Sequence, residues 1–294
     1  MMGSWLRRVW RRLRVWRYRS RCSELSHQID LALQNHDLDC ALQGLEQQLR
    51  LDCSHHVERL LFARQSRPAS QRLSLNLFMA MANLPNLPEH HQFYLLVATA
   101  HSALRLDDAD CLSQLKPLLS QAACLQNASI RELIVSGRNR EHPFKQLISA
   151  RSCLLQMELR EQDMTACHRI ALANLELLET LPWKNLPPDV LLRSTTNLVK
   201  VLLPCCLLEP QRERVQMSLL RLEQQLSGSR FDAFRRSARE DHVTFLRSVL
   251  AWLDAVKIQG ESIELLDQLR PLLLSNDASS VWAGLQRLDW MVMS

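Results

Sequence analysis

Six glycines in a chain of 294 residues set the strictest limit on the fold. Sheet proteins and doubly wound α/β folds need many tight turns, and glycine enters the positive-φ conformations of those turns without steric cost. Six glycines, scattered singly, cannot supply them. Leu, Gln, Arg, Ala and Glu dominate instead, all good helix formers, and β-branched residues are thin. The chain therefore reads as all-α. Hydrophobic residues at 47% and charged residues at 23% are proportions that bury a core, which sets disorder aside. The length suits one large helical domain or two smaller ones.

Apolar residues recur at three- and four-residue spacing almost throughout. That pattern predicts helices over 23–34, 54–63, 71–82 and 89–106. A cap at Asp37 or Asp39 opens another, through Leu42, Leu45 and Leu49 to Leu51, and Asp107-Asp108 caps one that reaches Cys124. Residues 127–143 are the least regular stretch, where Gly137, Arg138, Asn139 and Arg140 read as loop. Pro143 suits the first turn of a helix to Arg160, and Asp163 caps the next, to Leu181. Further helices are expected over 189–203, 211–226, 231–258, 262–274 and 281–291. The strongest break is Pro182 to Pro188, with two adjacent prolines. A soft boundary placed there gives a basic helix over 1–21, a helical-hairpin region over 22–182 and a C-terminal helical region over 189–294.

Three places share the pattern of a turn entering a second helix: Asp37-Leu38-Asp39-Cys40-Ala41, Asp107-Asp108-Ala109-Asp110-Cys111 and Gln162-Asp163-Met164-Thr165-Ala166-Cys167. In each, acidic or amide residues turn the chain and small residues open the next helix, where they let two helices approach closely. This resembles tetratricopeptide-type packing over about a third of the chain. The resemblance implies an irregular α-solenoid of antiparallel hairpins whose concave face binds a peptide or protein. The turns are unequally spaced and no 34-residue period runs through the chain, so a compact multi-helix bundle stands beside the solenoid.

The formal net charge of +5 conceals an asymmetry. Residues 1–21 hold eight arginines and no acid; removing those eight from the chain's 36 Lys and Arg leaves 28 basic against 31 acidic residues, a formal −3 for the rest. On a helical wheel, Trp5, Leu6, Val9, Trp10, Leu13 and Trp16 fall in an arc of about 140°. Arg7, Arg8, Arg11, Arg12, Arg14 and Arg19 fill the opposite side, and Arg17 sits at the apolar edge. Tryptophan tolerates a wet edge, and each arginine near anionic head groups contributes roughly 1 kcal/mol. These thirteen residues are the candidate surface-binding set for a helix lying in a membrane interface. Three rival readings are a helix packed on the body, a cleavable organellar presequence, and arginines on nucleic-acid phosphate. No apolar run approaches the ~18 residues of a spanning helix.

Motifs of chemistry are missing. The chain has no Gly-rich phosphate loop, GxSxG, HExxH or EF-hand pattern. Nine cysteines at irregular spacing, with no CxxC, read as buried free thiols in a reducing compartment. The nearest approach to a metal cluster is Cys53, His55, His56 and Glu58, with His90 and His91 beyond, and nothing completes four ligands. Glu46, Glu158, Glu161, Glu176 and Glu179 take ordinary solvated positions, while Asp39, Asp110 and Asp163 read as helix caps. Cys167-His168 are helix neighbours that do not face each other, and Cys205-Cys206 read as packed. Trp282, Leu285, Leu288 and Met291 form the apolar stripe of the last helix. The expectation is a non-enzymatic scaffold or adaptor with no catalytic, cofactor or metal residues and no small-molecule substrate. Its body binds a protein partner, and it is cytoplasmic and peripheral to an anionic membrane. The alternatives are a nucleic-acid-associated helical protein and an all-α enzyme with a dispersed, motif-less active site.

Overall fold

The computed structural model describes residues 17, 20–32, 34, 35, 37–50, 75, 79, 89–136, 143–207, 209–228 and 233–255. Among them no strand occurs, and the fold is all-α. The helices are α1 (20–32), α2 (Leu38–Arg50), α3 (Glu89–Leu106), α4 (Ala109–Ser136), α5 (Pro143–Arg160), α6 (Met164–Thr180), α7 (Pro188–Leu202), α8 (Glu209–Gly228) and α9 (Ala233–Ala255). Single 3₁₀ turns at Trp183–Asn185 and Leu203–Leu207 follow α6 and α7. Two compact units divide the chain, Met1–Leu115 and Lys116–Ser294.

In the first unit, α1 buries Cys22, Leu25, Ile29 and Ala32, a three-four-three spacing that keeps one stripe on one side of a helix. Buried Ala41 and Leu45 form the matching face of α2. The two helices meet at Gly44, where a Cβ would stand 2.7 Å from Ile29 Cγ1. Glycine at this place is a matter of room between helices rather than of φ. Helix α3 is buried on every side from Phe93 to Ala100. Its one polar side chain in that run besides Tyr94, Thr99, donates back to the Leu95 carbonyl at 2.7 Å, so its hydroxyl is not stranded.

Three tight turns are built alike. The Asp37, Asp108 and Asp163 amides donate to the Ala32, Ala103 and Glu158 carbonyls, the six-to-one bond that closes a helix C-terminus. Each of these aspartates then caps the following helix, accepting from the Cys40, Cys111 and Ala166 amides at 3.0, 3.1 and 2.9 Å. One residue thus ends one helix and starts the next. Of the candidates Asp37 and Asp39 the cap is Asp37, and of the Asp107-Asp108 pair it is Asp108; Asp39 and Asp110, also expected as caps, lie in the first helical turn and favour the helix dipole instead. Asp163 caps as expected.

Asp107 and Gln162, immediately before two of the caps, hold φ of 54° and 62°. Only glycine occupies that region without cost. Adjacent substitutions should therefore move stability in opposite directions. Gln162→Gly is expected to raise it by about 0.5–1 kcal/mol, and Asp163→Ala to lower it by about 1 kcal/mol. Urea unfolding of the two variants beside the parent measures both.

The loop expected over 127–143 begins later than the sequence indicated: α4 continues past Cys124 to Ser136. Asn127 and Ala128 lie on its exposed face, while Ala123, Ile130 and Ile134 carry the buried stripe through the polar stretch. Pro117 lies inside this helix. It is exposed, as is Ser113, whose carbonyl loses its helical donor.

In the second unit α5 is the central element, buried from Pro143 to Leu159 except for half-buried Lys145 and Ser149. It packs on α6 and α7; α8 packs on α6, α7 and α9. The Pro182–Pro188 stretch therefore connects helices that lie against one another within this unit. The Trp183 indole closes the end of α6 by donating to the Leu178 carbonyl at 3.0 Å. Expected helices over 54–63, 262–274 and 281–291 lie outside the described residues, and only Leu75 and Met79 of 71–82 are described, both helical.

Candidate functional site

Of the thirteen residues proposed to bind an anionic surface, only Arg17 is described; it is helical and exposed. Trp5, Leu6, Arg7, Arg8, Val9, Trp10, Arg11, Arg12, Leu13, Arg14, Trp16 and Arg19 lie outside the described residues, as do Cys53, His55, His56, Glu58 and the C-terminal tryptophans. Among the described residues no group of His, Cys, Asp and Glu could hold a metal ion.

The thiols divide. Among the described cysteines Cys22, Cys111, Cys153, Cys167 and Cys205 are buried, as expected for most of them, and Cys40 and Cys124 are exposed. Burial pushes the Cys205 thiol up to about 12, which keeps it protonated and poorly nucleophilic at neutral pH. The carboxylates divide as well. Glu158, expected at a solvated position, is buried and accepts from Lys116 Nζ at 2.7 Å, and exposed Glu161 accepts from the same ammonium at 2.7 Å. Burial pulls the Lys116 ammonium down, but the two carboxylates outweigh it and leave the group above its ordinary range. Glu179 holds Arg214 of α8 through both oxygens, from Nε and Nη2 at 2.7 Å each.

A buried cation of the second unit is Arg151, at the middle of α5 and 7% exposed. Its Nη1 donates to the Asn174 Oδ1 at 2.9 Å and to the Ala173 carbonyl at 3.2 Å, both on α6. Asn174, itself fully buried, is held in place by donating Nδ2 to the Ile170 carbonyl at 2.8 Å. Neither acceptor is charged, and no carboxylate contacts Arg151 among the described residues. Burial brings the guanidinium down to about 10, resisted by the Cys124 thiol and the Glu176 carboxylate, which lie within electrostatic reach. The group stays cationic at neutral pH, with its Nη1 edge clamped to α6.

Sequence reading passed over Arg151 although a signal existed. Phe144, Leu147, Arg151, Leu154 and Glu158 follow one another at i, i+3, i+7, i+10 and i+14, a core stripe with two charges in it. Charged residues in such a stripe are buried, and a buried charge needs a partner. Glu158 finds Lys116; Arg151 finds only neutral oxygens. Comparison of the chain with protein-family models, with curated proteins and with solved structures finds no match to any of them.

Proposed function

We propose that the protein is a non-enzymatic helical scaffold whose body binds a protein partner and whose N-terminal Arg/Trp helix associates with an anionic membrane surface. The observation that carries this reading is the segregation of charge. Eight arginines and no acid occupy residues 1–21, opposite an arc that includes Trp5, Trp10 and Trp16, ahead of a body with a formal charge of −3. Such a helix gains from both components of an interface, apolar burial and attraction to head groups. The all-α body of aspartate-capped hairpins supports the scaffold part, because rigid turns fix neighbouring helices as a surface. No described helix is long and apolar enough to cross a membrane.

The test is co-sedimentation of the full chain with neutral and with anionic vesicles at two salt concentrations. The chain is expected to pellet with anionic vesicles at low salt and to be released as salt rises. Replacing Arg7, Arg8, Arg11 and Arg12 with glutamine should weaken the partition on the order of a thousandfold at low salt, at roughly 1 kcal/mol per arginine. A full chain that stays in the supernatant with both vesicle types overturns the membrane reading. Binding to duplex nucleic acid in its place, with the steep salt dependence of phosphate neutralisation, would assign the same arginines to a different polyanion.

A further inference from the structure

We propose that the Nε/Nη2 edge of Arg151 is the anchor of a small-oxyanion subsite in the second unit, taking a carboxylate or phosphate oxygen pair between α5 and α6. The unit itself displays what a satisfied arginine edge looks like. Arg214 presents Nε and Nη2 to the two oxygens of Glu179, a parallel pair of short bonds. Arg151 has the same edge, in a more buried place, with no carboxylate on it among the described residues. Its other edge is not available to turn toward solvent, because Nη1 is committed to Asn174 and to the Ala173 carbonyl. Asn174 is in turn fixed by the Ile170 carbonyl, so the guanidinium is pre-oriented and an incoming anion would lose little to its ordering.

Charge and burial point the same way. A cation only 7% exposed whose hydrogen bonds go to neutral acceptors is incompletely compensated by them. An oxyanion compensates it with two charge-assisted bonds. The ionisable groups within electrostatic reach of this charge are Cys124 on α4 and Glu176 on α6, both exposed. The Glu176 carboxylate opposes an anion there and weakens its binding. The shape of the edge selects a planar or tetrahedral oxyanion over chloride, which cannot take two parallel donors on two atoms.

The experiment is thermal unfolding of the full chain titrated with inorganic phosphate and, separately, with acetate, against sodium chloride at matched ionic strength. Concentrations from micromolar to well beyond the midpoint distinguish a saturable site from general salt exclusion, which rises without saturating. Phosphate or acetate is expected to raise the midpoint along a saturating curve, by about 4 °C at a hundredfold excess over its Kd. Arg151→Lys keeps the charge and removes the fork, so its curve should follow chloride. Absence of any saturable shift in the parent overturns the proposal. An unchanged shift in Arg151→Lys overturns it too, and moves the anion to the N-terminal arginines. Should that variant fail to fold, the Arg151 Nε–H resonance of the parent decides: displacement on phosphate addition supports the site, and an unmoved resonance overturns it.

Discussion

Phe144→Ala is expected to destabilise the second unit by about 3–5 kcal/mol, the range for removing a large buried aromatic side chain. Phe144 is fully buried one residue inside the N-terminus of α5, and Leu147 and Ile148, one turn on, are fully buried as well. Of the α5 residues near Phe144 only Lys145 and Ser149 are half-buried, so α5 has little surface side chain to fold into a cavity there. The loss therefore includes both the transfer of the ring to water and the void left behind. Leu118→Ala is the control: Leu118 is 52% exposed on α4, and its truncation should stay within about 0.5 kcal/mol. Urea unfolding followed by far-ultraviolet circular dichroism measures both. A Phe144→Ala midpoint equal to that of Leu118→Ala would mean that α5 is not the centre of its unit.

The helices were legible because their determinants are local. Glu89–Leu106 matches the expected span residue for residue: a Pro-rich linker precedes it and an Asp107-Asp108 turn follows, and no distant contact is needed to place either end. The caps were legible to within two residues. Asp37 and Asp39, or Asp108 and Asp110, are equivalent as residue types, and what selects Asp37 and Asp108 is the six-to-one bond of the preceding helix. That bond depends on where the previous helix stops, which a capping rule does not encode.

The extension of α4 to Ser136 was hidden for the opposite reason. Gly137, Arg138, Asn139 and Arg140 give the whole of 127–143 a loop-like reading, and burial of Ile130 and Ile134 carries the helix through its first part. The candidate site was the least legible part. Arg151 stands in an ordinary amphipathic run, and its meaning comes from Asn174, 23 positions away on another helix. Spacing reveals that a charge is buried; it does not reveal what the charge lacks.

A double-mutant cycle on Arg151 and Asn174 should separate what this pair contributes to stability from what it contributes to a site. Asn174→Leu removes the side-chain acceptor and leaves a buried guanidinium on a single backbone carbonyl. The expected loss is about 2–3 kcal/mol, in the range for hydrogen bonds to charged groups. Arg151→Met leaves the Asn174 Oδ1 without its donor and is expected to cost about 1–3 kcal/mol. The double variant replaces both with apolar groups of similar volume. It should fall within about 1 kcal/mol of the parent, since burying a cation against neutral acceptors gains little once its dehydration is counted. The coupling between the two positions would then approach the sum of the single losses, while the pair as a whole would be nearly dispensable for folding. That result would remove stability as the reason for an arginine in the core stripe of α5, and the double variant would be the form in which to ask whether phosphate still protects. A double variant as unstable as the two single losses added would instead make Arg151 a structural element of the α5–α6 interface, held there for packing alone.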